Sequence, residues 1–474
     1  MWSAVVAAAI EAARLKTLVD SNAVLAAGLP LIRTQFGVPH SFPPQVLAAA
    51  EEAAKRVPNA HVDRTAMPFV TLDPASSTDL DQAFAIERSG ADLLLHYAIA
   101  DVAWFVDDGG VIDAEAWKRG TTLYLPDGKA GLYPPVLAEG AASLLPSGPR
   151  PAVVFTVRVA PDGTPTLDGA ERATIRSRAK LAYDSVTNAD LPPDFAELAN
   201  RIAAAEDARG ASRVDPPQQD VIADGKGGYR LAFEPRLESE DRNAALSLAT
   251  NLAVAALLQA HHTGLFRVMA GPDDRAVQRL RNVALGLGLD WPAAVSLPQF
   301  VAMLSAADPA QAAFMIAERR SGGGATYTPY REGVVLWHAA MAATYAHATA
   351  PLRRLADRYV VRAALAIANG QPVPDVVTQA FDTLPPVMAR ADAIGGRIDR
   401  AVIDLAETAV LHGREGEVFR AVIVDADAHG ARIQLCDLAV LTSVKTAGKP
   451  GEAISVRLVA ADTAARTLSF ERVS

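Results

Sequence analysis

Residues 69–86 read Phe-Val-Thr-Leu-Asp-Pro-Ala-Ser-Ser-Thr-Asp-Leu-Asp-Gln-Ala-Phe-Ala-Ile, which places Asp73, Asp79 and Asp81 within nine positions of an otherwise apolar stretch. The flanks 69–72 and 83–86 read as two strands, and Pro74 to Thr78 supplies turn chemistry between them. Three like charges beside two apolar strands repel one another unless a cation or a basic partner neutralises them. Oxygen donors without a neighbouring His or Cys point to a hard cation, Mg²⁺ or Mn²⁺, a common partner in phosphoryl chemistry. A solvated acidic turn is the alternative for an isolated Asp-x-Asp. A calcium loop fits poorly: counting from Asp73, Thr78 falls where glycine is needed and Phe84 where the bidentate Glu belongs.

At 474 residues the chain exceeds one typical core, so two or three domains are expected. A single cysteine, Cys436, excludes an internal disulfide and fits a reducing cytosol, so a cytoplasmic location is expected. No uninterrupted run of 18 apolar residues occurs, and no membrane span is expected. The apolar start, Trp2 to Ile10, runs into Glu11, Arg14 and Lys16 and reads as an amphipathic helix rather than a signal peptide. A net charge of −9 argues against backbone-driven nucleic-acid binding over the whole surface, while leaving room for a local basic channel.

The patterning gives an α+β chain in three parts. Residues 1–62 read as a short helical region, with a second helix over 44–55 that carries proline in its first turn. Residues 63–412 start with strands, among them 93–101, 122–125 and 153–159. From about 193 they turn helical, over 241–263, 273–287, 298–306, 334–346, 354–368 and 389–411, and Gly322-Gly323-Gly324 reads as a flexible break. Residues 413–474 read as four or five short strands, the size of a small OB-type barrel; a generic β appendage is the other reading, since Phe419 and Phe470 are its few aromatics.

The acidic segment resembles the signature of the ribonuclease II and ribonuclease R (RNB) family, Thr-Ile-Asp, a short turn, then Asp-hydrophobic-Asp-Asp. Further blocks resemble that family in the same order. They are Ala98-Ile99-Ala100-Asp101-Val102, Arg119-Gly120-Thr121-Thr122-Leu123-Tyr124-Leu125-Pro126, Leu265-Phe266-Arg267, and Tyr345-Ala346-His347-Ala348-Thr349-Ala350-Pro351-Leu352-Arg353-Arg354. The resemblance implies an RNB-type catalytic domain, a mixed sheet followed by packed helices, ahead of a C-terminal S1-like OB barrel. It implies a metal-dependent hydrolytic 3′–5′ exoribonuclease that degrades single-stranded RNA to 5′-mononucleotides, with no protein partner inferable and a monomer expected. By resemblance, Asp73, Asp81 and Gln82 would hold Mg²⁺ or Mn²⁺, with Asp79 keeping the cluster's geometry and Asp81 tied most directly to the chemistry. Arg353 would contact the scissile phosphate, a task suited to an always-charged, bidentate guanidinium. Tyr124 would stack on the terminal base, and Tyr183, Arg354 and Arg400 would contact RNA. The plain alternatives are a core tyrosine for Tyr124 and Tyr183 and a solvated helix face for the arginines; His347 reads as structural, lacking a second His at ligand spacing.

The chain departs from the pattern at Gln82, where the two enzymes carry a fourth Asp; an amide oxygen coordinates a hard cation without adding charge, so weaker Mg²⁺ binding or one fewer ion is expected. Asn243-Ala244-Ala245 replaces glutamates near the RNA. The 68 residues before Phe69 read as helical, without room for the two N-terminal cold-shock barrels of larger members, and resemble compact actinobacterial-type relatives. Two further functions stay open: an RNA-binding protein with attenuated or lost catalysis, and a hydrolase of short oligonucleotides, suggested by the acidic surface.

Overall fold

The computed structural model describes residues 24–211, 218–223, 229–234, 237–305, 308–321, 323–427 and 430–473. The apolar N-terminal segment and Gly322 lie outside the described residues. Helix α1 (Val24–Phe36) and helix α2 (Pro44–Ala53) precede a five-stranded sheet, as expected for a helical N-terminal region. The sheet comprises β1 (Val62–Asp63), β3 (Gln82–Ser89), β4 (Asp92–Ala100), β7 (Arg150–Val159) and β8 (Pro165–Ile175), in the order β1-β8-β7-β4-β3. Every pair is antiparallel except β1 on β8. The period of two is plain in β4: Leu93, Leu95, Tyr97 and Ile99 are fully buried while Leu94 and His96 are partly exposed.

Two short pairs flank this sheet and matter for the site. Strand β2 (Thr71–Asp73) runs parallel to β9 (Lys180–Ala182), setting Asp73 opposite Ala182. Strands β5 (Leu123–Leu125) and β6 (Gly128–Ala130) form a tight hairpin in which Tyr124 faces Lys129. Helix α3 (Val111–Arg119) leads into it through Gly120, whose φ of 73° suits glycine and whose added Cβ would stand 2.9 Å from Ala391 Cβ.

After α4 (Phe195–Arg209) comes a hairpin, β10 (Gln218–Ala223) with β11 (Tyr229–Glu234), inside a stretch that reads as helical in sequence. Helix α5 (Glu238–Ala260) packs on the sheet, burying Leu246, Ala249, Ala253, Val254 and Leu258. It is long and apolar enough to cross a membrane by length and composition, and those apolar residues are core contacts. Strands β12 (Leu265–Val268) and β13 (Thr326–Pro329) pair around an insert of three helices, α6 (Asp274–Gly286), α7 (Leu297–Ala302) and α8 (Pro309–Ser321). The insert has its own core, where Trp291 stacks on Phe300 and meets Phe314 edge-on.

The expected helix over 334–346 is a correction. Only Ala339–Met341 makes a 3₁₀ turn, and the rest runs as irregular chain beside β12. Its backbone groups bond Met269 and Arg267 as well as forming a local turn: the Met269 N–H donates to the Trp337 carbonyl, the Arg267 N–H to that of Tyr345, and the His338 N–H to that of Ala343. Tertiary pairing thus overrides the helix propensity of an alanine-rich segment. Helix α9 (Leu355–Ala368) starts four residues after Pro351, which lies in the turn before the helix. Helix α10 (Asp375–Leu411) begins well before the expected Ala389 and continues through Pro385 and Pro386. Leu384 and Met388 are buried on either side, so packing carries the helix past two missing N–H donors.

The C-terminal unit is a near-closed antiparallel barrel of five strands: β14 (Val418–Asp427), β15 (Gly430–Leu435), β16 (Leu441–Val444), β17 (Ala453–Asp462) and β18 (Thr467–Arg472), ordered β16-β15-β14-β17-β18. Bulges at Ile423/Asp425 and Leu458/Ala460 curve it around Ile423, Ile433, Val456 and Leu458. Phe419 and Phe470 are both buried. The barrel joins α10 at Glu407, whose Oε1 accepts from Leu441 N–H (2.7 Å) and from the Gln219 amide (2.6 Å). Burial pushes this carboxyl up to about 7.

Candidate active site

The acidic turn is fixed from three sides. Ser143 accepts the Leu80 N–H (2.9 Å) and donates to the Thr78 carbonyl (2.8 Å), while the Ala100 N–H donates to the Asp81 carbonyl (2.9 Å). Strand β2 delivers Asp73 at one end of the turn, and Asp81 immediately precedes β3 at the other. Asp81 is buried at 5% exposure, and Asp73 is half-buried.

The segment 349–354, about 270 positions later in the chain, closes over Asp81. Leu352 N–H donates to Asp81 Oδ1 at 2.7 Å, and Arg353 Nε stands 3.5 Å from Oδ2. The guanidinium of Arg353 remains half-exposed, able to meet a ligand while facing the carboxylate. Its backbone carbonyl is held by Thr122 N–H (3.0 Å) and the Thr121 hydroxyl (2.7 Å), which ties it to the β5–β6 hairpin bearing Tyr124. Asp357 fastens the same segment from below: it is fully buried and accepts the N–H groups of Thr349 (2.9 Å) and Ala350 (2.8 Å) and two bonds from Arg354 (2.8 and 3.0 Å).

Burial dominates the electrostatics. It pushes Asp81 up to about 8, against the opposing pull of Arg353 and the Leu352 N–H. It pushes Asp73 up to about 6, with Arg353 and Lys180 pulling down and Asp79 adding to the rise. Arg353 therefore lies within electrostatic reach of both acids. Asp79 is placed differently, with Lys129 Nζ at 2.7 Å from Oδ1 and the Tyr124 hydroxyl at 3.0 Å from Oδ2.

Gln82 spends both ends of its amide on the protein. Its Nε2 donates to the Thr349 carbonyl (2.8 Å), and its Oε1 accepts from the buried Tyr97 hydroxyl. Among the described residues, no group of three or more His, Cys, Asp or Glu gathers at metal-ligand spacing. The donors still suit a hard cation. Asp73 is a half-buried and Asp81 a buried carboxylate, their charged forms lack full compensation, and Mg²⁺ is commonly held by one or two carboxylates plus substrate phosphate.

The remaining sequence candidates are distributed unevenly. Tyr124 is half-exposed at the site, whereas Tyr183 packs against the core beside Asp73 and accepts from the Asn243 amide (2.9 Å). Arg354 turns inward to Asp357, so it braces the loop rather than facing a channel. Arg400 pairs with Asp404 at 2.7 Å on the surface of α10. His347 is partly buried, hydrogen-bonded to Tyr327 (2.9 Å), and its pKa is held low by desolvation and by the nearby arginines, which fits a structural role. Beside Tyr124 opens a cavity of about 650 Å³ lined by Thr121, Arg267, Gly324, Asp392, Gly395 and Asp399.

Lys129, Tyr97 and Asp357 were not singled out from sequence. Lys129 had a signal, since a Tyr124-Leu-Pro-Asp-Gly-Lys129 hairpin puts both side chains on one face. Tyr97 and Asp357 looked like ordinary strand and helix residues.

Residues 61–369 match the RNB domain, and residues 417–473 match the RNase II-type exonuclease C-terminal S1 domain. Ribonuclease R of Aquifex aeolicus is 26% identical over 432 residues, covering 83% of this chain and 59% of the relative. Exoribonuclease 2 of Yersinia enterocolitica is 32% identical over 259 residues, covering 50% of this chain and 40% of the relative. The chain thus spans roughly half of the length of these curated relatives. The structure of Mycoplasma genitalium RNase R in complex with ribose methylated single-stranded RNA superimposes with a TM-score of 0.84 at 20% identity, covering 95% of this chain and 78% of that one, which shows a shared fold. With the RNB domain matched over more than half of its length and an S1 barrel behind it, the chain belongs to the RNB family.

Proposed function

We propose that the chain is a metal-dependent hydrolytic 3′–5′ exoribonuclease that shortens single-stranded RNA to 5′-mononucleotides, using Mg²⁺ or Mn²⁺. The observation that carries this reading is the meeting of Arg353 with Asp81 at 3.5 Å, beside a Leu352–Asp81 hydrogen bond that spans 271 positions of sequence. Such a pairing sets a permanent, half-exposed cation directly beside an acid, so that one phosphate could meet both groups. Asp73 and Asp81 would hold the metal ion, which supplies Lewis acidity to a phosphate oxygen when bound. Arg353 would compensate the charge that develops on the scissile phosphate, a task for which a preorganised guanidinium needs no rearrangement. Tyr124 would stack under the terminal base, and this contact tolerates any sequence because every base has a π-face. The partly buried amide of Gln82 ties the acidic turn to the Arg353 loop, holding the two halves in register.

The relatives' names, Ribonuclease R and Exoribonuclease 2, support the same class of reaction. A second reading, RNA binding with weakened catalysis, is favoured by Gln82, which brings no charge to the cluster. One experiment separates them. A 5′-labelled single-stranded RNA is incubated with Mg²⁺ or Mn²⁺ and either the wild-type protein or Asp81→Asn. A ladder shortening from the 3′ side, absent in the variant, supports the exonuclease; retention of RNA without shortening supports the binding protein. Cleavage confined to very short oligomers supports an oligonucleotide hydrolase.

A further inference from the structure

The β5–β6 hairpin carries a cation into the acidic turn. Lys129 Nζ lies 2.7 Å from Asp79 Oδ1, 3.2 Å from Glu139 Oε1 and 3.3 Å from the Thr78 hydroxyl, which itself donates to Glu139 Oε2 at 2.8 Å. The ammonium is thus enclosed by three oxygens, with its side chain only 24% exposed and that of Asp79 11%. Tyr124, its cross-strand partner, occupies the other oxygen of Asp79. Both carboxylate oxygens of Asp79 are therefore engaged by the hairpin, unlike those of Asp73. Across the turn, position 82 contributes an uncharged amide already bonded to Tyr97 and Thr349.

The charges at the site then balance in a particular way. Asp73, Asp79, Asp81 and Glu139 face the cations of Lys129, Arg353 and Lys180. With both oxygens of Asp79 engaged and position 82 uncharged and occupied, Asp73 and Asp81 are the acids of the turn left to hold a divalent ion, a donor set for one ion and not for two. We propose that Lys129 is a built-in cation of the acidic turn, holding Asp79 as its counter-ion so that one divalent ion, not two, binds per chain. Lys129 is a positioning residue: it acts through Asp79 and through the hairpin that bears Tyr124. The inference rests on the reading of Asp73 and Asp81 as metal ligands and adds to it the number of ions and the residue that sets it.

Mn²⁺ titration of the RNA-free full chain tests this, with free Mn²⁺ followed by electron paramagnetic resonance and heats by calorimetry. Wild type binds one Mn²⁺, lost in Asp73→Asn. Removing the ammonium in Lys129→Met or Lys129→Gln frees Asp79, tightening Mn²⁺ binding at least tenfold or admitting a second ion, because a unit charge a few ångströms away is a strong electrostatic perturbation in a partly buried site. Lys129→Arg keeps the wild-type stoichiometry. Two ions in the wild type, or unchanged affinity and stoichiometry in both folded neutral variants, would overturn the role of Lys129 while leaving the metal site standing. Failure of the wild type to bind Mn²⁺ at Asp73 and Asp81 would overturn both.

Discussion

Asp357 is the residue through which the fold holds Arg353 in place, and its removal has a calculable consequence. In the native chain its buried carboxylate accepts two backbone N–H bonds, from Thr349 and Ala350, and two bonds from the Arg354 guanidinium. Asp357→Ala deletes all four at once and strands a mostly buried cation. Breaking a buried pair by removing one partner costs about 3–5 kcal/mol, and each unsatisfied backbone donor costs about 1–3 kcal/mol unless water reaches it. Arg354 keeps about a fifth of its side chain exposed and can relax towards solvent, which places the total near the lower bound of the sum, about 5 kcal/mol. The functional effect is sharper than the loss of stability, because the loop that relaxes carries Leu352 and Arg353. A displacement of about 1 Å at a catalytic group costs on the order of 100-fold in rate.

The assay combines urea denaturation with single-turnover shortening of labelled RNA. Asp357→Ala is expected to lower the midpoint and to slow turnover about 100-fold, with RNA affinity changed only a few-fold. Arg354→Met/Asp357→Ala is expected to recover much of the lost stability, since removing both members of a buried pair leaves no stranded charge. A single variant destabilised by less than about 1 kcal/mol, or a double variant no more stable than the single, would refute this reasoning.

Other consequences are measurable in the same way. Glu407 has its folded pKa raised to about 7 from an ordinary value of 4.5, so the folded chain holds a proton that the unfolded chain releases between these values. Stability should therefore fall as pH rises from about 4.5 through about 7, and Glu407→Gln, which keeps the acceptor for Leu441 and Gln219, should flatten that dependence in thermal melts from pH 5 to 8.5. Tyr124→Ala removes a stacking surface of about 1–3 kcal/mol per base and should weaken RNA binding by roughly 5- to 150-fold in fluorescence anisotropy. Tyr124→Phe loses only the bond to Asp79 and should stay within about 0.5–1.5 kcal/mol of wild type. Gly120→Ala forces a side chain into φ 73° against Ala391 and should destabilise the chain by about 1–3 kcal/mol in denaturant titrations.

The sequence made the sheet, the barrel and the acidic turn legible because each is governed by local pattern. Period-two alternation marks β4 and the barrel strands, and three acids between two apolar runs mark the turn. The β10–β11 hairpin and the irregular chain over 334–346 were hidden because their conformations are set by partners remote in sequence. Met269 and Arg267 pair with the second segment, and Glu407 with the first through Gln219. The site followed the same division. Asp73, Asp81, Tyr124 and Arg353 stood out by residue type and by family resemblance, whereas Arg354 read as an RNA contact until Asp357 was seen to claim it. The amide of Gln82 could be read only as a departure until its two partners, Tyr97 and the Thr349 carbonyl, gave it a structural task.

The central claim is that Asp81 and Arg353 act as a unit on one scissile phosphate. A double-mutant cycle on the single-turnover rate of shortening, using Asp81→Asn, Arg353→Ala and the pair together, measures this coupling. The account predicts that each single change removes most of the activity and that the double variant is no slower than the slower single. Losses that multiply, as for two independent groups, would contradict it.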